Sequence, residues 1–191
     1  MGIKNNEFVF GLVSRAIKEK GWEESIRAII RLNSERNERS HLIIVGAGEY
    51  ASSLQDKYKE YDYIHFIMDL TEQSEWIGWV KVFDVALLPT YFVSESLPNS
   101  IIEYLAYEKP VIATNIGEIK HMIYSEETNE YAGILLELNS ESTVEVDDLL
   151  NAMKTMVTNE EIYLQFKNNT KILFKQFTMK NFASEYFDTF D

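Results

Sequence analysis

The stretch DVALLPTYFVSESLPNSIIEYLA, residues 84–106, runs from a short apolar segment through a polar loop into a segment of helical period. Its hydrophobic pattern predicts a strand over residues 84–89 and a helix over residues 98–107. Pro98 suits the first helical position, where its missing N–H costs nothing. The next three N–H groups should therefore point out of the helix start, where they attract an anion such as phosphate.

The same alternation of short apolar runs and helical segments extends along the rest of the chain. Five further strands are predicted, over residues 7–13, 41–45, 63–68, 110–114 and 132–138. Further helices are predicted over residues 22–30, 51–59, 72–80, 144–155, 160–175 and 179–190. The alternation predicts an α/β fold in which residues 1–191 form a single Rossmann-like domain. We expect a six-stranded parallel sheet with helices on both faces and a helical C-terminal segment.

Composition narrows the function classes. The 191 residues include 18 Lys or Arg and 31 Asp or Glu, for a formal charge of −13. Such acidity argues against a nucleic acid or an anionic membrane as the main partner, because both need a basic surface. The absence of cysteine excludes disulfides and thiolate metal sites. No apolar run reaches the roughly 18 residues of a membrane span and no signal-peptide core is visible, so we expect a cytoplasmic protein.

Two carboxylates flank the predicted anion site at the start of the 98–107 helix. Glu95 lies in the loop at the carboxyl end of a strand, where open α/β sheets bind ligands. Glu103 faces the same mouth, because the apolar pairs Ile101 with Leu105 and Ile102 with Ala106 would form the buried stripe. Carboxylates beside a phosphate suit hydroxyl groups, which suggests a nucleotide sugar. The alternatives are a loop acid that stabilises the helix dipole and a solvated helix face.

Two cations follow the first predicted strand, in the turn VSRAIKEKG at residues 13–21. Arg15 and Lys20 should lie at the same sheet edge as Glu95, because the carboxyl ends of parallel strands meet there. They could hold a diphosphate leaving group, with a solvated basic loop as the alternative.

Other motifs are weaker. The GAG sequence at residues 46–48 lacks the third glycine of a dinucleotide fingerprint and predicts a structural turn. His41, His65 and His121 are far apart in sequence, so we expect no metal cluster, with the first two at strand ends and the third at the surface.

Taken together, the motifs resemble the C-terminal, donor-binding domain of group 1 retaining glycosyltransferases of the GT-B fold. Residues 9–21 resemble that family's first strand and Arg…Lys-Gly turn, and residues 41–48 its strand ending in V-G-x-G. Residues 95–103, ESLPNSIIE, resemble its E-x7-E signature, and residues 109–117 the following strand and turn. Departures occur at Ser14, Ser96 and Glu108, where the family usually has glycine.

The resemblance implies a role for each site residue. Glu103 would bind the ribose hydroxyls, Glu95 the donor sugar, and Arg15 with Lys20 the diphosphate. The implied catalytic residues are Arg15, Lys20 and Glu95. The implied donor-binding set is Ser14, Arg15, Lys20, Glu95, Leu97, Pro98, Asn99, Ser100 and Glu103. Members of the family use no cofactor or catalytic metal and transfer a hexosyl group from a UDP- or GDP-sugar with retention.

The resemblance also implies that half of the enzyme is missing, namely the N-terminal acceptor-binding domain. We therefore expect this domain to be nearly inactive alone, and any peripheral membrane contact to be made by the absent half. We also expect self-association through an aromatic surface of the last helix, formed by Phe182, Tyr186, Phe187 and Phe190, with core packing as the alternative. A non-catalytic nucleotide-binding module and a fragment of a GT-B epimerase or phosphorylase remain as alternative functions.

Overall fold

A computed structural model describes residues 2–69, 73–125 and 128–178. Within these ranges the strands are β1 Phe8–Val13, β2 Ser40–Val45, β3 Ile64–Ile67, β4 Val85–Leu88, β5 Val111–Thr114, β6 Tyr124–Ser125, β7 Glu130–Tyr131 and β8 Gly133–Leu136. The α-helices are α1 Trp22–Ser34, α2 Glu49–Lys57, α3 Gln73–Val82, α4 Asn99–Ala106, α5 Ile119–Ile123, α6 Val146–Thr158 and α7 Glu160–Phe174. Two 3-10 turns lie at Lys18–Lys20 and Lys175–Phe177.

Six strands form one parallel sheet in the order β3-β2-β1-β4-β5-β8, which confirms the predicted α/β fold. The chain builds outward from β1 in one direction and then returns to add β4 on the other side. This reversal opens a crevice beyond the carboxyl ends of β1 and β4, the place where sheets of this kind bind ligands.

Both faces of the sheet are covered by helices. In β1, Phe10 and Leu12 point into one apolar cluster and Val9 and Val13 into the other. Helices α1 and α6 cover the first face, while α4 and α5 cover the second. Because both faces are buried, the strands are almost continuously apolar, which is why the sequence reveals them so clearly.

Helix α4 differs in two details from the expectation. Pro98 adopts an extended conformation, with φ −70° and ψ 114°, and is the N-cap rather than the first helical residue. The proline ring fixes φ but leaves ψ free, so the residue suits either position. The predicted buried stripe is also wrong in part, since Ile102 is only half-buried and Ala106 is exposed. Tyr104 is fully buried instead.

The residue after the C-cap of α4 explains one departure from the glycosyltransferase pattern. Glu108 has a φ of 59°, the left-handed conformation that helix ends commonly reach with glycine. A glycine would adopt it without strain, whereas a glutamate carries the steric cost of its Cβ. Glu108 also forms an ion pair with Lys171 at 3.3 Å, which gives the longer side chain a role at this position.

Three other elements bear on the predictions. The five-residue helix α5 and the β6–β7 ladder were not expected, because both are too short for a clear hydrophobic period. The predicted helix over residues 179–190, with its aromatic self-association surface, lies outside the described residues. Among the helices that are described, none combines the length and apolarity that a bilayer crossing requires.

Candidate functional site

Two loops meet at the carboxyl edge of the sheet, one after β1 and one after β4. The N–H of Tyr91 and the hydroxyl of Thr90 both donate to the carbonyl of Glu19, at 2.8 and 3.2 Å. Gly21, with a φ of 72°, lies so close to Pro89 that any Cβ there would collide with its carbonyl oxygen. The loop after β4 is therefore fixed directly onto the 3-10 turn that carries Lys20.

Arg15, Lys20 and Glu95 converge where these loops meet. The Lys20 ammonium forms an ion pair with Oε2 of Glu95, and their side chains are only 8% and 10% exposed. The aromatic ring of Phe92 contacts both cations, with its centroid 5.2 Å from Cζ of Arg15 and 5.3 Å from Nζ of Lys20. The structure thus brings together the three residues that the sequence selected, around a phenylalanine that it did not select.

The loop that carries Glu95 rests on the turn after β5. The N–H of Glu118 donates to the carbonyl of Ser96 at 2.9 Å. Gly117 has a φ of 53°, and a Cβ there would collide with the carbonyl of Glu95. A glycine is needed at position 117 for two reasons, the left-handed conformation and the close approach of the loop.

Helix α4 is tied to the end of β1 through Tyr104. Its hydroxyl accepts from the N–H of Val13 at 3.0 Å and lies 3.4 Å from the carbonyl of the same residue. Burial raises the pKa of Tyr104, as does the nearby charge of Glu103, so the phenol stays neutral and keeps its proton. Tyr104 therefore ties α4 to the end of β1, directly before the turn that carries Arg15.

The remaining predicted donor-binding residues occupy different environments around the start of α4. Leu97 and Asn99 are exposed, Ser100 is half-buried and Pro98 is buried. Asn99 and Ser100 are the first two residues of α4. In an α-helix the N–H groups at these positions have no acceptor within the helix. The expectation for Ile101 is wrong, because its N–H donates to the carbonyl of Pro98 at 3.0 Å.

Ser14 links the turn after β1 to the first residue of α1. Its hydroxyl oxygen accepts from the indole N–H of Trp22 at 2.8 Å and lies 3.2 Å from the carbonyl of Arg15. A Cβ on Gly46 would collide with the carbonyl of Ser14, so the glycine permits the turn after β2 to pack against the turn after β1. This contact accounts for the first glycine of the GAG sequence as a structural requirement.

Two of the three histidines, although far apart in sequence, meet in the fold. Nδ1 of His41 is 3.1 Å from Nε2 of His65, and Nε2 of His41 is 3.1 Å from Oε2 of Glu7. The pairing of β2 between β1 and β3 brings the three residues together at the amino edge of the sheet, opposite the candidate site. Burial, followed by the effect of His41, lowers the pKa of His65 to about 4. His121 is exposed, as expected.

The Glu7–His41–His65 cluster is a hydrogen-bonded line. His41 uses a different ring nitrogen for each neighbour, so the three side chains do not converge on one point. Within the described ranges, no group of three or more His, Cys, Asp or Glu side chains has an arrangement that could hold a metal ion.

Comparison with known proteins decides the family. The family described as "Glycosyl transferases group 1" matches residues 1–172. The chain belongs to this family. The capsular polysaccharide biosynthesis glycosyltransferase CapM of Staphylococcus aureus is 28% identical over 128 residues, which cover 64% of this chain and 32% of CapM. A glycosyltransferase of Methanocaldococcus jannaschii is 25% identical, and the match covers 96% of this chain and 50% of that protein.

Solved glycosyltransferase structures share the fold. The C-terminal domain of the group 1 protein LpcC from Francisella tularensis matches with a TM-score of 0.72 and 20% identity, over 88% of this chain and 85% of that one. The pneumococcal O-GlcNAc transferase GtfA, solved with UDP and GlcNAc, matches with a TM-score of 0.73 and 16% identity, over 95% and 35%. This glycosyltransferase chain spans about a third to a half of the length of the curated relatives it matches.

Proposed function

We propose that this group 1 glycosyltransferase chain is the donor-binding half of a retaining hexosyltransferase, with residues 1–191 as a single domain. The observation that carries the proposal is the convergence of Arg15, Lys20 and Glu95 beside the start of α4. In a protein of charge −13, two neighbouring cations of which, among the described residues, only Lys20 has a carboxylate partner favour an anionic ligand at this edge. The UDP in the related GtfA structure supports a nucleoside diphosphate sugar.

The proposed roles follow the chemistry of each side chain. Arg15 is exposed and offers a planar set of N–H donors, which suits the oxygens of a diphosphate. Lys20 adds a point charge next to it, and the N–H groups of Leu97, Asn99 and Ser100 would complete the anion site. Ser14, Leu97 and Pro98 would shape the pocket around the donor.

Two acids would bind the hydroxyl groups of the donor. Glu95 uses Oε2 for Lys20, and its second oxygen retains lone pairs for a sugar hydroxyl. Glu103, one turn into α4, would accept hydrogen bonds from the ribose. The buried Lys20–Glu95 pair orders both groups before the donor arrives, so that less conformational freedom is lost on binding.

During transfer the bond between the anomeric carbon and the diphosphate oxygen breaks, and negative charge develops on the leaving group. Arg15 and Lys20 would stabilise that charge in place of a metal ion. The acceptor hydroxyl would attack from the same face and give its proton to the departing phosphate, so that the anomeric configuration is retained. These residues act on charge and position, because the leaving phosphate itself serves as the base.

The acceptor would be bound by a second domain that this chain does not supply. The relatives are two to three times longer than the segment they share with this chain, which supports a missing half. We therefore expect donor binding but little transfer by this chain alone, in the cytoplasm, with any membrane contact made by the other half.

Thermal unfolding with different nucleotides tests the proposal. UDP or GDP should raise Tm more than UMP or GMP does at equal concentration, because only the diphosphates reach both cations. A ligand at 100 times its Kd stabilises the folded state by about 2.7 kcal/mol, an effect large enough to resolve. Equal shifts with mono- and diphosphates would favour a generic nucleoside pocket, and the absence of any shift would contradict nucleotide binding.

A further inference from the structure

Phe92 lies beneath the cations of the candidate site, and neither its residue type nor its place in the loop marked it out in the sequence. We propose that Phe92 is a positioning residue that holds Arg15 ready for the diphosphate through a cation–π contact. The inference rests on the proposed function and adds a residue to the same site. Its basis is the 5.2 Å separation between Cζ of Arg15 and the centroid of the Phe92 ring.

The surroundings of Arg15 differ from those of three arginines that form ion pairs. Arg31, Arg36 and Arg39 form ion pairs with Asp147, Glu38 and Asp62. In the part of the chain that the structure describes, no carboxylate forms a salt bridge with Arg15, whose charged group lies against an aromatic face instead. A carboxylate at this position would compete with an anionic ligand, whereas a ring does not.

An aromatic partner also leaves the hydrogen-bonding capacity of the guanidinium available. The cation–π attraction acts on the positive charge and uses none of the five N–H donors. An exposed arginine side chain is otherwise free to take many rotamers, so a contact that restricts it before binding lowers the entropy lost when the diphosphate arrives. The ring therefore restrains the Arg15 side chain and leaves its N–H donors available for the diphosphate.

Two hydrogen bonds fix the backbone of Phe92 relative to the rest of the site. The N–H of Phe92 donates to Oγ1 of Thr90 at 3.3 Å, and its carbonyl accepts from the N–H of Glu95 at 2.8 Å. The same ring lies 5.3 Å from Nζ of Lys20, which has Glu95 as its ionic partner. Among the described residues, Lys20 thus has two side-chain partners, Phe92 and Glu95, and Arg15 has Phe92, so loss of the ring should act chiefly through Arg15.

Calorimetric binding of inorganic pyrophosphate, UDP and uridine to the full chain tests the inference. Phe92→Leu removes the π face while keeping apolar volume, and Phe92→Met does the same if the first variant unfolds. We expect either to weaken pyrophosphate and UDP binding about fivefold, the size of an exposed cation–π contact, while uridine binding stays unchanged. Phe92→Tyr should restore binding, and Val93→Ala, at a neighbouring side chain that is 99% exposed, should have no effect.

An Arg15→Ala background separates positioning from a general change in the loop. There, Phe92→Leu should change pyrophosphate affinity less than twofold, because the group it positions is gone. Equal losses in both backgrounds, or wild-type affinity in Phe92→Leu when Arg15→Ala is impaired, would overturn the inference and leave the proposed function standing. Failure of the unaltered chain to bind pyrophosphate or UDP would overturn both.

Discussion

The two edges of the sheet each carry a cluster of ionisable side chains, but the clusters have different partners. At the amino edge, Glu7, His41 and His65 bond to one another in a line. At the carboxyl edge, Lys20 pairs with Glu95, while Arg15 stays exposed against an aromatic ring. Side chains that satisfy one another stabilise a fold, whereas an exposed cation held without a carboxylate is available to a ligand. The difference supports the proposal that the amino edge serves stability, whereas the carboxyl edge combines a stabilising pair, Lys20 with Glu95, and a cation that a ligand would bind.

The largest expected effect is the loss of stability when the buried Lys20–Glu95 pair at the carboxyl edge is broken. Lys20→Met should lower the free energy of unfolding by about 3 kcal/mol, because it leaves the carboxylate of Glu95 buried without its cation. Urea denaturation measures this loss. Adding Glu95→Leu should recover most of the stability while abolishing donor binding.

Lys57→Met is the matched control for that variant. Lys57 pairs with Glu23 at the surface, where its side chain is more than half exposed, so solvent screens the pair and this change should cost clearly less than Lys20→Met. Equal destabilisation by the two variants would show that the Lys20–Glu95 pair is not stabilised by its burial.

A smaller effect separates the two acids of the candidate site. Glu103→Ala should weaken UDP and UDP-sugar alike by about tenfold, the loss of a charged hydrogen bond to a ribose hydroxyl. Glu95→Gln keeps a side-chain oxygen for Lys20 but removes the carboxylate, so it should weaken binding of the sugar-bearing donor more than binding of UDP. Titration calorimetry with both ligands distinguishes the two patterns, and unchanged affinity in both variants would remove the assignment of these residues.

The smallest effect sharpens the assignment of the amino edge to stability. The pKa of His65 is lowered to about 4, mainly by burial and then by His41, while Asp62 acts in the opposite sense. Protonation therefore favours the unfolded chain, so the stability is fully present above pH 6.5 and is lost as pH falls toward 4. With His65 half-buried, we expect a loss of about 1 kcal/mol between pH 7 and pH 5.

Replacement of histidine identifies the group responsible for this pH dependence. His65→Gln should flatten the profile between pH 7 and pH 5, whereas His121→Gln, at an exposed position, should leave it unchanged. A profile that keeps its slope in His65→Gln would place the titrating group elsewhere.

The sequence predicted the sheet and part of the site for the same physical reason. Buried parallel strands require apolar runs, and the carboxyl ends of such strands must meet, which brought Arg15 and Lys20 to the edge that carries Glu95. A local sequence pattern does not reveal which strands pair or which residues of them lie side by side. His41 and His65 are 24 residues apart in the chain, and only the pairing of β2 with β3 brings them into contact.

Loop side chains were the other limit of prediction. Phe92 lies outside any periodic element, so no spacing rule gives the direction of its ring. Tyr104 was missed because its polar hydroxyl concealed a buried position, which the hydrogen bonds to Val13 make favourable. Phe92 joins the loop after β4 to Arg15 in the turn after β1, and Tyr104 joins α4 to the end of β1.

The preference for a diphosphate over a monophosphate, measured in the wild-type chain and in Arg15→Ala, tests the central claim most directly. Wild-type chain should bind UDP at least about tenfold more tightly than UMP, and Arg15→Ala should lose most of that preference while its affinity for UMP changes little. Arg31→Ala, which removes a surface arginine paired with Asp147, should keep the wild-type ratio. A wild-type chain that binds UDP and UMP equally, or an Arg15→Ala variant that keeps the full preference, would contradict the account.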